Sequence, residues 1–187
     1  MRKNFGSKPW SYPQPVFIIA TYDKDGNPNA MNAAWCGIND TDEVYICMGS
    51  RHKTTENIEE RKAFTVSMGD VKHVVACDYV GIVSGSDEPD KFKKAGFTAI
   101  KSEFVDAPLI EELPMALECE LVSYDKSTGR LIGKIKNISI DDSVLTPDDK
   151  VDVGKLAPIV FDAINKTYLK IDDRLDGQAF RDGARLQ

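Results

Sequence analysis

The chain predicts an α+β protein, a β-barrel with a few short helices inserted into it. Short β-rich apolar runs separated by Gly, Asp and Asn turn signals recur in both halves, while helical patterns are confined to the stretch between Thr54 and Ala95. A length of 187 residues with 42% hydrophobic and 29% charged side chains supports one substantial core. No repeat, low-complexity tract or linker divides the sequence, so residues 1–187 read as a single domain.

In order, Pro15 to Thr21 is a β-rich apolar run that stops at Asp23-Lys24-Asp25-Gly26-Asn27-Pro28, where Asp-Gly signals a hairpin turn. Asn29 to Trp35 and Glu43 to Met48 are the next two strands, the latter alternating Val44, Ile46 and Met48 against Tyr45 and Cys47. From Thr54, Thr-Thr-Glu-Asn-Ile-Glu-Glu-Arg-Lys opens on N-cap residues, carries acids early and ends on bases, which predicts a short helix. Ala63 to Met68 returns to strand. Apolar residues at three- and four-residue intervals from Val71 to Ile82 predict an amphipathic helix whose polar face includes Lys72 and Asp78. A loop from Ser84 to Asp90 leads to a brief helix ended by Gly96. Met115 to Tyr124 and Arg130 to Ile140, turned at Asp125 to Gly129, form a long hairpin. Pro158 to Asp162 and Thr167 to Ile171 are late short strands before a polar tail.

Bulk charge and residue counts narrow the function. A net charge of -6 and a pI near 5.0 oppose binding to a phosphate backbone, so nucleic acid is not an expected partner. Apolar runs fall well short of the ~20 residues of a spanning helix, and no h-region follows Arg2 and Lys3, so a cytoplasmic, non-membrane protein is expected. The cysteines Cys36, Cys47, Cys77 and Cys119 form no CxxC and are expected as thiols. With His52 and His73 as the only histidines, no metal site is expected.

Three constellations could carry chemistry. Ser50-Arg51-His52-Lys53-Thr54-Thr55-Glu56-Asn57-Ile58 sets cations and hydroxyls ahead of a helix N-terminus, a geometry that binds a phosphate; a capped surface helix reads equally from the same residues. Asn29 to Gly37 mixes small residues and amides with Trp35, a strand that a planar ring can approach closely, with Asn32 offering a donor and an acceptor; a packed core strand is the alternative. Ser84-Gly85-Ser86-Asp87 with Lys91 downstream can present amides and a cation to a phosphate or ribityl chain, or be a plain surface loop. Neither GxGxxG nor GxxxxGK[ST] occurs.

Taken together, these segments resemble the flavin reductase-like, FMN-binding split-barrel family, in particular its flavoredoxin branch. Pro28 to Trp35 is similar to the family's flavin-contacting strand, Arg51 to Ile58 to its phosphate motif, and Ser84-Gly85 with Asp90-Lys91-Phe92 to its later element. Phe64-Thr65-Val66, Ala95-Gly96-Phe97, Ala107-Pro108 and Leu117-Glu118-Cys119 extend the likeness over roughly residues 12 to 141. Gly177 to Gly183 is similar to the family's C-terminal signature, while a family arginine is Ser86 here. The resemblance implies an FMN-binding split β-barrel with short inserted helices. Asn32, Ala33, Trp35 and Cys36 would line the ring, with Arg51, Thr54, Thr55, Asn57, Ser84, Gly85 and Lys91 toward the ribityl phosphate. It further implies an oxidoreductase passing electrons between NADH, NADPH or a redox partner protein and an acceptor, and a homodimer. A non-enzymatic FMN electron carrier and a cofactor-free interaction module are the competing functions. Cys36 near the flavin is either a redox thiol or an inert buried one, and His73 reads as a surface or cap residue.

Overall fold

The computed structural model describes residues 1–171. Its frame is a seven-stranded antiparallel sheet, curled into a half-barrel, in the order β2-β1-β5-β8-β9-β4-β3. The strands are β1 (Phe17–Tyr22), β2 (Pro28–Ala33), β3 (Cys36–Asp40), β4 (Glu43–Cys47), β5 (Ala63–Met68), β8 (Met115–Asp125) and β9 (Arg130–Ile140). Two small ladders complete the strands: β6 (Ala99–Lys101) with β7 (Pro108–Ile110), and β10 (Ile159–Asp162) with β11 (Thr167–Lys170).

β1 is buried on both faces, which is why it reads as a continuous apolar run rather than an alternating one. Phe17 and Ile19 face the barrel core with Val44, Ile46, Phe64 and Leu131. Ile18 and Ala20 face a second core against Val80, Phe92, Ile110 and Ile159. Fully burying such an aliphatic side chain contributes about 1.5–3 kcal/mol. In β9, Gly133 admits the Phe64 ring: a Cβ there would stand 2.3 Å from Phe64 Cζ.

The turn before β2 forms as its sequence predicts. The Asp23 carboxylate accepts the amides of Asp25 (2.9 Å) and Asn27 (2.8 Å), and Gly26 takes a positive φ of 86°. Arg61, at the end of α1 (Lys53–Arg61), donates to Asp23 O at 2.9 and 2.6 Å and ties this turn to the helix.

Three expectations change. The stretch from Asn29 to Trp35 is not one strand: β2 stops at Ala33 and an unexpected edge strand, β3, starts at Cys36. The helix expected from Val71 begins at Val74 as α2 (Val74–Ile82) and lacks a clean inward stripe, since only Cys77 and Val80 are buried while Val75 and Ile82 are 80% and 75% exposed. Helix α1 begins at Lys53, with His52 as an N-cap that makes no side-chain cap bond; the threonines form tertiary bonds instead. A four-residue α3 (Lys91–Lys94), a 3-10 turn (Asp142–Val144) and an unforeseen α4 (Val153–Leu156) are the other helical segments among the described residues. The C-terminal motif from Gly177 to Gly183 lies outside the described residues.

Candidate functional site

The two edge strands of the sheet, β2 and β3, are consecutive in the chain and separated only by Ala34 and Trp35, so the barrel stays open between them. Helix α2 lies on β2, with Gly81 so near Asn32 that a Cβ at residue 81 would stand 2.9 Å from Asn32 Cβ. The β10–β11 hairpin adds Phe161 and Tyr168, and a cleft of about 340 Å³ results. Met31, Asn32 and Ala33 line it from β2, and Trp35 borders it at 43% exposure. Asn32 Nδ2 donates to Cys77 O at 3.1 Å, which fixes β2 against α2.

The cleft runs on into a second cavity of about 170 Å³ with which it shares Met31, His52, Gly81 and Ile82. Its remaining walls include Lys53, Thr54, Ser84, Gly85 and Lys91. The tip of the β8–β9 hairpin positions the loop that enters α1: Met48 N donates to Gly129 O at 2.7 Å and Tyr124 Oη donates to Met48 O at 3.0 Å. Since no described side chain caps α1, its first amides are available to an anion.

Lys91 gives this end its character. It is 3% exposed, and its Nζ donates to Val80 O (3.2 Å) and Val83 O (2.8 Å), with no carboxylate paired to it among the described residues. Burial alone lowers its pKa to about 8. A buried ammonium held by neutral carbonyls, beside an uncapped helix N-terminus and the Ser84-Gly85 turn, is a site suited to an oxyanion. Gly85 is required there: a Cβ would meet the Asn29 side-chain oxygen at 2.3 Å, an atom that is buried with no partner among the described residues.

The structure therefore brings Asn32, Ala33 and Trp35 to the open cleft, and Thr54, Ser84, Gly85 and Lys91 to the cationic end. Arg51 is exposed in an adjoining cavity of about 500 Å³ formed with the Lys126–Gly129 turn, which shares His52 with both other spaces. Three expected residues point elsewhere. Thr55 Oγ1 donates to Gly49 O at 2.9 Å, and Asn57 Nδ2 donates to Thr21 Oγ1 at 3.0 Å; both residues are 0% exposed. Cys36 is in the barrel core with Sγ donating to Ala33 O at 3.3 Å, and burial pushes its thiol up to about 12. The thiol that lines the cleft is the exposed Cys47.

Sequence reasoning missed His52 and Lys53 as walls although both lie inside the phosphate-type segment it singled out. It also missed Asp78, Phe161 and Tyr168, the last donating from Oη to Asp78 Oδ1 at 2.7 Å. Among the described residues, no cluster of three His, Cys, Asp or Glu could hold a metal ion, and no helix is long and apolar enough to cross a membrane. His73 N and Nδ1 both meet the Asp70 carboxylate, at 2.7 and 2.9 Å, at the start of α2 and away from the cleft.

Comparison with known proteins agrees with this architecture. Flavoredoxin of Desulfovibrio vulgaris (Miyazaki F) superposes with a TM-score of 0.93 at 37% identity, covering 98% of this chain and 100% of that one. Flavoredoxin from Methanosarcina acetivorans gives a TM-score of 0.88 at 24% identity, covering 100% of both chains. An FMN-binding domain of a flavin reductases-like enzyme from Shewanella baltica OS155 gives 0.77 at 19% identity, covering 88% of this chain and 90% of that one. The latter two establish the fold alone, a split barrel. The family model of the flavin reductase like domain matches residues 10–169, and on that span the chain belongs to the flavin reductase-like family.

Proposed function

We propose that this protein binds FMN in the groove between β2, α2 and the start of α1 and serves as an oxidoreductase. It would pass electrons from NADH, NADPH or a protein donor to an acceptor. The observation that carries the reading is Lys91, a buried cation with no carboxylate partner among the described residues, at the end of an open slot. A phosphate ester supplies the missing negative charge, and the uncapped α1 N-terminus and the Ser84-Gly85 turn supply further donors. Thr54, Lys53 and, from the side, Arg51 complete that end; Asn32, Ala33, Trp35 and Gly81 would flank the ring.

One cationic site favours FMN over a dinucleotide flavin, and one structural neighbour is itself an FMN-binding domain. When bound, FMN supplies the redox chemistry. The chain's own groups bind its phosphate, hold the ring's orientation and limit water around it. The test is an absorbance spectrum of the purified protein with mass identification of the released flavin, followed by rapid mixing with NADH and NADPH. A protein that carries no flavin and binds none refutes the reading.

A second reading is supported by the 37% identity to a flavoredoxin over nearly the whole chain: a carrier holding FMN and exchanging electrons with a partner protein. Flavin reduced only by a protein donor selects it. In either role the protein is proposed to be cytoplasmic and a homodimer, the latter supported by the exposed Val75 and Ile82 of α2 and Ile38 of β3. Light scattering should then give about twice 20.7 kDa.

A further inference from the structure

Among the described walls of the open cleft there is one carboxylate, Asp78 on α2. Its Oδ1 accepts a 2.7 Å hydrogen bond from Tyr168 Oη on β11. Burial, then the Asp78 hydrogen bond, raises the Tyr168 pKa, so the phenol keeps its proton and donates while the carboxylate accepts. Phe161 packs beside Tyr168 with ring centroids 6.1 Å apart. Segments distant in sequence thus hold one acid at a fixed place in the cleft wall. Of the other walls only His52 can carry positive charge, and the Lys91 cation lies in the neighbouring cavity.

We infer that Asp78, positioned by Tyr168, sets the redox poise of the bound flavin: its charge makes the cleft favour the oxidised ring over the reduced one. The inference rests on the reading that this cleft takes the flavin ring. Two-electron reduction of the neutral ring takes up two electrons and, at neutral pH, one proton, leaving one net negative charge. A carboxylate in the same cleft repels that charge, while the neutral oxidised ring is little affected. Tyr168 is a positioning residue, since it acts through Asp78.

The test compares the holoproteins of the parent, Asp78→Asn and Tyr168→Phe. Midpoint potentials come from reductive titration against a reference dye, and FMN affinity of the oxidised form from fluorescence quenching. Asparagine keeps an acceptor for Tyr168 and removes the charge. Reduced flavin should gain about tenfold in affinity relative to oxidised flavin, which is about 30 mV upward for a two-electron couple. Tyr168→Phe keeps the charge but releases the carboxylate from its fixed place, so the potential should rise by less than in Asp78→Asn. Were the pair only a latch for the hairpin, both variants would weaken oxidised and reduced flavin alike and the potential would stay fixed, overturning the inference. Asp78→Ser provides the same comparison should the asparagine variant fail to fold. A parent that takes up no flavin refutes the functional reading, and this inference with it. A parent that binds flavin at a potential unmoved by loss of the Asp78 charge overturns this inference alone.

Discussion

Replacing Lys91 by methionine should strengthen the apo protein at neutral pH while weakening FMN binding. Burial lowers the lysine pKa from 10.5 to about 8. At about 1.36 kcal/mol per unit, carrying the charge in the folded state costs about 3 kcal/mol. Methionine removes that cost and keeps the stem's packing, but it leaves Val80 O and Val83 O without their donor, a loss of about 1 kcal/mol each. The charge cost is the larger, so the variant should gain about 1 kcal/mol at pH 7.

The sign reverses with pH. Between about 8 and 10.5 the unfolded parent binds more protons than the folded parent, so parent stability rises with pH across that window. Above it both states are neutral and only the lost hydrogen bonds remain, so the variant becomes the less stable protein. Urea unfolding of both apo proteins at pH 7 and near pH 11 tests the crossover. A methionine variant that is less stable at pH 7, by an amount independent of pH, would show that the Lys91 charge is not penalised and would remove the argument for an anion there. In binding, the variant should lose roughly 10- to 150-fold for FMN, from about 1.5–3 kcal/mol of charge-assisted bonding, and almost nothing for riboflavin.

Arg51→Ala should weaken FMN by about tenfold, the low end for a charge-assisted contact, because Arg51 lines an exposed neighbouring cavity and not the groove itself; riboflavin binding should not change. Equal losses for the two ligands would point to a damaged loop instead. Cys36→Ser should leave turnover within about twofold, because a core thiol pushed up to about 12 is a poor nucleophile. Iodoacetamide should label Cys47 first, and FMN should slow it; mass spectrometry showing Cys36 labelled first would contradict the burial pattern. Gly133→Ala should destabilise the fold by about 1–3 kcal/mol, because the added methyl falls on the Phe64 ring, and a neutral result by urea unfolding would mean that the ring moves freely.

What the sequence made legible follows from how local each signal is. The Met115–Tyr124 and Arg130–Ile140 expectations match β8 and β9 to within a residue, because alternation and an Asp-to-Gly turn are read within one short window. β3 was not legible: its Cys-Gly-Ile-Asn-Asp run has a single buried residue, so it carries no alternation to read. Helix α2 was misread because its apolar residues sit on both the inner and the outer side, and spacing alone assigns them all inward.

The site divides along the same line. Residue types ahead of a helix N-terminus locate an anion end from sequence, since the helix itself supplies the amides and the sequence merely marks where it begins. They do not say where each side chain turns. Thr54, Thr55 and Asn57 lie within one turn, yet only Thr54 lines the groove; Asn57 is held by Thr21, 36 positions away on β1. Lys91 was legible as a residue but not as a buried one, because its burial comes from the end of α2 folding over it, which supplies the Val80 and Val83 carbonyls. Asp78 and Tyr168 are 90 positions apart, and their meeting depends on the β10–β11 hairpin docking beside α2. A groove assembled from separated segments leaves local marks for the parts that backbone geometry provides, and none for the parts that exist only through tertiary pairing.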